Sequence, residues 1–273
     1  MRTIAHISDL HFGRVDIALI EPFLTTLTSL APDVVTISGD LTQRARAQQF
    51  RDARAFLERI PFPQIVVPGN HDVPLYNIFA RFLAPLRNYR RYITDDLQPV
   101  YVDDEIVIIG INTARSLTFK DGRINAEQVE SIRTRLAPFP DKTAIVVTHH
   151  PFDLPEGSNE KRVGRAKMAM VAFAECGVDV LLSGHFHLSH ACETGGNDGT
   201  RSHSALLVHA GTTLSTRARG ESNSFNVLRV ASHKIIVEQC TWNPERNEFV
   251  LSETECFVQE NLRWRRALSY ASA

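Results

Sequence analysis

Short apolar runs rich in β-branched residues recur along the chain, and most of them end in a polar cluster. Residues 3–8, 34–37, 65–67, 105–111, 143–148 and 178–182 read as strands. Between them, Ile17, Ile20, Phe23, Leu24, Leu27 and Leu30 recur at helical spacing, and residues 44–60 place Phe50, Phe56, Leu57 and Ile60 on one face. Asn125 followed three residues later by Gln128 forms a capping box that opens a helix ending near Leu136. A further helix is expected at 166–176, and residues 74–98 read as helical without definable ends. Such alternation signals βαβ units and parallel strands, whose carboxyl ends are where ligands collect.

After residue 187 the pattern changes. Residues 204–210, 224–231 and 234–241 are short β runs with turn residues and no helix between them, which predicts an antiparallel second sheet. The tail, with Trp264 among Arg263, Arg265 and Arg266, reads as a short helix packed on the surface. No repeat or linker interrupts the chain. A single domain over 1–273 is expected, with core motifs at about 4–190 and second-sheet strands and tail at about 204–273.

Composition narrows the partners. With 273 residues, 43% of them hydrophobic, the chain can bury a sizeable core. Thirty basic against thirty-one acidic residues leave a net charge of −1, so no global pull toward nucleic acid or an anionic membrane is visible. No window approaches the eighteen or so apolar residues of a membrane span. The start, MRTIAHISDLHF, runs into a strand pattern with no secretory signal, and Cys176, Cys192, Cys240 and Cys256 are widely spread with no CxxC pair. Reduced thiols and a cytoplasmic location are expected.

The polar clusters at the strand ends carry the chemistry. In order they supply Asp9 and His11, then Asp40, then Asn70 and His71 within the stretch PGNHD, then His149, then His185 and His187. Carboxylates and neutral imidazoles suit divalent first-row metals, and the lack of thiolates leans away from a structural zinc site. Strands of one parallel sheet would bring these loops to one edge. The set is too large for a single ion that keeps a position open for water; two ions about 3.5–4 Å apart, sharing one carboxylate, would use it fully. Two divalent cations bring four positive charges, of which two aspartates and a bridging hydroxide cancel three. The resulting pocket, net positive and holding a nucleophile, suits a phosphoryl anion.

The succession D-x-H, G-D, G-N-H-D, H and G-H-x-H resembles the signature of the metallophosphoesterase (calcineurin-like phosphoesterase) superfamily, over about residues 4–190. The resemblance implies that Asp9, His11, Asp40 and His187 hold a first metal, while Asp40 as the bridge, Asn70, His149 and His185 hold a second. Of the pair His149 and His150, the family's H-x-P form selects the first. His71 would face the substrate phosphate and act in catalysis together with Asp40, and Asp72 would orient neighbours. The implied fold is α/β, a four-layer αββα sandwich of two mixed β-sheets flanked by helices.

The THHP form, the NTAR stretch and the SFNVLRV strand resemble the class III cyclic nucleotide phosphodiesterase and glycerophosphodiesterase branch. The expected function is thus a dinuclear metal-dependent phosphodiesterase. It would hydrolyse cyclic nucleotides or other small phosphodiesters by attack of a metal-bridging hydroxide, the ions being Mn, Fe, Zn or Co. The alternatives are a phosphomonoesterase or nucleotide pyrophosphohydrolase on the same metals, a nuclease, which the neutral charge balance argues against, and a non-catalytic scaffold.

Further substrate contacts are expected from Asn70, His71, His209 and Asn112. His6, inside the first strand, reads as a core residue, and His190, His203 and His233 as surface residues. Selectivity is assigned to residues 74–98, 153–167 and 192–203. The expected partner is a small phosphodiester, with neither membrane nor nucleic acid and with homo-oligomerisation open.

Overall fold

The computed structural model describes residues 1–118, 120–154, 161–187, 189–194, 203–217 and 221–267, with the side chain of His187 outside that set. The strands are β1 (Arg2–Ile7), β2 (Val34–Ser38), β3 (Gln64–Val67), β4 (Val100–Val102), β5 (Ile106–Gly110), β6 (Thr143–Val147), β7 (Val178–His187), β8 (His190–Glu193), β9 (Leu206–Gly211), β10 (Ser224–Ala231), β11 (Lys234–Asn243), β12 (Glu248–Glu260) and β13 (Arg263–Arg266). The helices are α1 (Ile20–Leu30), α2 (Ala47–Leu57), α3 (Ile78–Leu83), α4 (Arg87–Tyr92), α5 (Ala126–Leu136) and α6 (Ala166–Glu175).

Among the described residues, the strands form a seven-stranded sheet in the order β13-β12-β11-β10-β1-β2-β3 and a six-stranded sheet in the order β4-β5-β6-β7-β9-β8. The central strands of both are parallel, β1 with β2 and β2 with β3 in one, β5 with β6 and β6 with β7 in the other. These strands read as unbroken apolar runs because both faces are covered. In β5, Ile106 and Ile108 join Ile4, Ile65, Ile145 and Leu228 in the layer between the sheets. Val107 and Ile109 point the other way, against Ile132 of α5 and Phe173 of α6. Helices α1 and α2 cover the outer face of the seven-stranded sheet in the same manner. The expected four-layer sandwich is what these packings build.

Two expectations are corrected. The strands after residue 187 do not make a sheet of their own: β9 pairs parallel with β7 inside the second sheet, and β10 pairs antiparallel with β1, extending the first. Each sheet must complete its own hydrogen-bond ladder, and the late strands add to ladders already open. The tail is the strand β13 and not a helix, paired with β12; Trp264 is 2% exposed while the flanking arginines are exposed, the two-residue alternation of a strand. In the N-terminal half, Asn125 does cap α5, accepting from the Gln128 amide at 2.8 Å. No described helix is long and apolar enough to cross a membrane.

Phe23 of α1 ties a helix layer to its sheet. Its ring lies edge-on to Phe225 of β10 at 5.3 Å and to Phe249 of β12 at 5.9 Å, fully buried. Phe23→Ala should lower stability by about 3–5 kcal/mol in denaturant unfolding, and a loss below about 1 kcal/mol would contradict this packing.

Candidate metal centre

The predicted ligands come from both sheets, not from one. Asp9 and His11 follow β1, Asp40 follows β2 and Asn70 follows β3, all in the first sheet, whereas His149 follows β6 and His185 lies in β7 of the second. The parallel strands of the two sheets present their carboxyl ends on one side, and the centre forms between them.

The backbone there is held in an unusual shape. Asp9, His11, Asp40 and His185 have φ of 54°, 50°, 51° and 75°, a left-handed conformation costing on the order of 1 kcal/mol or more per non-glycine residue. Hydrogen bonds between the loops hold it: the Asp9 amide donates to the Gly39 carbonyl at 3.2 Å, that of His11 to Asp40 at 2.9 Å and that of Phe12 to Leu41 at 2.8 Å. The His185 amide donates to Asp9 Oδ2 at 3.0 Å, joining the second sheet to the first.

In the stretch PGNHD each residue has a task. A side chain at Gly69 would put its Cβ 2.1 Å from Asp40 Oδ1, so only glycine lets the β3 loop reach the carboxylate. The His71 amide then donates to that same Oδ1 at 2.8 Å. Asp72, buried, accepts from the amides of Gly69, Leu41 and Thr42 at 3.0, 3.1 and 2.8 Å, and from the Thr42 hydroxyl at 2.9 Å. It clamps the loops after β2 and β3 together, as expected of an orienting group. Burial and the nearby Asp40 charge raise its pKa to about 6.

Two groups of donors converge. Ligand atoms of Asp9, His11 and Asp40 lie within 4.8 Å of one another, all buried. His11 Nε2 stands 3.4 Å from Asp9 Oδ1 and 3.8 Å from Asp40 Oδ2. On the other side of Asp40, His149 Nδ1 donates to the Ser38 carbonyl at 2.7 Å, which fixes the tautomer and turns Nε2 inward. That Nε2 lies 3.1 Å from Asn70 Oδ1, 3.3 Å from His185 Nδ1 and 3.4 Å from Asp40 Oδ2. His185 Nδ1 is also 3.1 Å from Asn70 Oδ1. Acceptor atoms facing one another at this range need a cation between them, a proton or a metal ion.

The electrostatics agree. Burial works against the Asp40 charge, but the surrounding imidazoles of His149, His71 and His11 hold its pKa well below the usual carboxylate range. Burial also opposes a charged His149, yet the Asp40 carboxylate outweighs it and lifts the imidazole to about 9. The Asp40 carboxylate thus favours a proton on His149, which a metal ion bound at that nitrogen would displace. His150 is also near, with its ring within 4.8 Å of His149 and His185 by ligand atom, but Nδ1 is hydrogen-bonded to Thr113 Oγ1 at 2.7 Å and its pKa is pushed well down by burial.

The remaining candidates separate. His71 borders the centre, its Nδ1 donating to the Gln43 carbonyl at 2.9 Å and its Nε2 accepting from Arg217 at 3.1 Å. His209 is buried behind the ligands, hydrogen-bonded to Ser183 Oγ at 2.7 Å, and burial lowers it to about 3. His6 is similarly placed, bonded to Ser38 Oγ at 2.9 Å. Asn112 accepts from the Ala114 amide at 2.9 Å and lines a different cleft with Arg115. His203, expected on the surface, is instead buried, with Nε2 donating to the Val178 carbonyl at 3.0 Å. The expected loops at 153–167 and 192–203 lie partly outside the described residues.

A cleft of about 240 Å³ opens onto Asp40, Asn70, His71 and His185. Among the described residues, Arg44, Lys120 and Arg217 are the cations that line it, and the sequence pattern singled out none of them. Arg44 sits four residues past Asp40, a closeness that could have flagged it; Arg217 follows no motif.

Residues 2–189 match the calcineurin-like phosphoesterase family. The chain belongs to that family. Members of this family generally bind two divalent metal ions. A 175-residue stretch is 28% identical to the glycerophosphodiester phosphodiesterase GpdQ of Enterobacter lignolyticus, covering 57% of this chain and 58% of that protein. Over 200 residues it is 26% identical to a probable cyclic nucleotide phosphodiesterase of Synechococcus sp., covering 68% and 73%. The match thus spans less than two thirds of the first relative's length. The fold resembles that of the purple acid phosphatase PPD1 from yellow lupin, with a TM-score of 0.64 at 17% identity over 93% of this chain and 53% of that one.

Because a metal must displace the proton that Asp40 holds on His149, affinity for added Mn²⁺ should rise with pH. Between pH 7 and the pKa near 9 the expected slope is up to about tenfold per unit for one proton released. Calorimetric titration of metal-free protein at several pH values would measure it, and a flat profile would contradict the assignment.

Proposed function

We propose that the protein is a dinuclear metal-dependent phosphodiesterase for small substrates, cyclic nucleotides or glycerophosphodiesters among them. The observation that carries this is the placement of one carboxylate, Asp40, between two donor groups that border a cleft lined by Arg44, Lys120 and Arg217. Asp9, His11, Asp40 and His187 would hold the first ion, and Asp40, Asn70, His149 and His185 the second. When bound, the ions, drawn from Mn, Fe, Zn or Co, supply Lewis acidity and activate water near neutral pH.

The chain's own residues do the rest. Arg217, which donates to His71 Nε2 in the absence of substrate, is a ready donor for a phosphoryl oxygen. His71 is held by its Nδ1–H on the Gln43 carbonyl, so Nε2 keeps its direction toward the cleft and, once it takes up a proton, can donate to a phosphoryl oxygen or pass that proton to the departing group. Arg44 and Lys120 add positive charge where the phosphoester's negative charge must sit. The limited volume of the cleft favours small esters, and the likeness to proteins named as phosphodiesterases supports a diester. A cytoplasmic location is in keeping with four free cysteines.

With Mn²⁺ supplied, bis(4-nitrophenyl) phosphate should be turned over faster than 4-nitrophenyl phosphate. Asp40→Ala should abolish turnover and metal binding together. Arg217→Ala should lower kcat/KM by about 10²-fold with metal content unchanged. A preference for the monoester would replace the diesterase with a phosphomonoesterase, and full turnover by Asp40→Ala would overturn the metal mechanism.

A further inference from the structure

Asn112 and Arg115, which follow β5 and stand apart from the metal donors, line a second cleft of about 480 Å³, twice the volume of the first. No described residue lines both clefts. One glutamine sets the pair in place. Gln128, held in the capping box of α5, donates Nε2 to the Asn112 carbonyl at 2.7 Å and accepts from Arg115 Nη2 with its Oε1. Arg115 Nη1 also donates to the Ala114 carbonyl at 3.2 Å. Both side chains are thus positioned without a ligand, which lowers the ordering cost of binding one.

What this arrangement leaves unused are donors. Asn112 is 6% exposed; its Oδ1 accepts from the Ala114 amide at 2.9 Å, which fixes the direction of the side-chain amide, and its Nδ2 has no partner among the described residues. Arg115 spends only the two N–H groups just named, and no described carboxylate pairs with it. Burial and the nearby Arg123 both press its pKa below the ordinary value, so its charge is held at a cost that nothing in the described protein offsets. Arg87, exposed in the same lining, has no ion-pair partner among the described residues either. Arg90 also lines the cleft, but its Nη1 is engaged by the Asp95 carbonyl at 3.0 Å, with the Asp95 carboxylate 3.9 Å away. Among the described residues, no aspartate or glutamate lines the cleft.

The lining therefore selects by charge and by polarity. A cation would meet only positive charge. A neutral apolar molecule would seal off Asn112 Nδ2 and the Arg115 charge without a partner, at about 1–3 kcal/mol for each unmet group. An oxyanion satisfies both, and Leu83 and Leu97 of the same lining, Leu83 being 81% exposed, offer a wall for an apolar body behind the charged head. We propose that this cleft is a second binding site, for a small organic oxyanion: a phosphate or carboxylate head on Asn112 Nδ2, Arg115 and Arg87, with an apolar body against Leu83 and Leu97. The site needs neither the metal ions nor the phosphodiesterase function. It also gives Asn112, expected to touch substrate at the metals, a different ligand.

The test is calorimetric titration of the metal-loaded full chain with 4-bromophenylphosphonate, with 4-bromobenzoate and with neutral 4-bromobenzyl alcohol, paired with anomalous diffraction at the bromine edge from crystals soaked in each. At least one of the two acids should bind with a dissociation constant below about 1 mM and place its bromine beside Leu83 and Leu97, and the alcohol should not; the acid that binds there more tightly names the head group. Phosphonate that also reaches the metals would give a separate peak near Asp40. Arg87→Ala and Asn112→Asp should each weaken binding at the second cleft about tenfold, and Arg87→Ala should do so with its thermal unfolding midpoint unchanged. Acids found only at the metals or nowhere, equal binding of the alcohol, or either variant binding like the wild type would overturn the proposal. Binding at crystal concentration only, with none in solution, would overturn it as well.

Discussion

Two oxygens of one buried carboxylate sit among three imidazoles and an amide, and the loops of both sheets are shaped to keep them there. Asp40 Oδ1 takes the His71 amide, while Oδ2 faces His11 on one side and His149 on the other. A lone buried carboxylate would be costly; here facing imidazoles, and a cation when one binds, offset the loss of water. Much of the local architecture follows from that requirement. The left-handed backbone at Asp9, His11, Asp40 and His185 aims side chains that regular strand ends would direct elsewhere, and the loop-to-loop hydrogen bonds and the Asp72 clamp sustain it.

The two-sheet construction explains how candidate donors so distant in sequence meet. Parallel strands on both sides of the inter-sheet layer end at one side of the molecule, and Asp9 Oδ2 bridges the gap by accepting from the His185 amide. The Ser38 carbonyl does the same by accepting from His149. The first sheet therefore orients His149 and His185 of the second. The cations of the cleft are a separate layer of chemistry, with Arg217 arriving from the loop after β9 to meet His71 after β3.

That Asp9, His11, Asp40, His149 and His185 would gather was legible in the sequence because each sits at or near the end of a strand whose apolar run is unmistakable. The inner strands β1, β2, β3, β5 and β6 were legible for the same reason. The assignment of the late strands to the two sheets was not, since strand pairing depends on which ladder remains open, and β10 joins β1 across more than two hundred residues. Trp264 was misjudged because its arginine neighbours dominate composition, while alternation along β13 decides its burial. Arg217 and Lys120 carry no periodic signal; only their positions in the lining of the cleft reveal them.

If Asp40 is the carboxylate shared by two ions, its place between them can be seen directly. Anomalous diffraction from crystals grown with Mn²⁺, collected at the manganese edge, should show two peaks about 3.5–4 Å apart. One should lie beside Asp9 and His11, the other beside Asn70, His149 and His185, with the Asp40 carboxylate between them. A single peak at full manganese supply, or two peaks that Asp40 does not join, would contradict the shared-carboxylate centre.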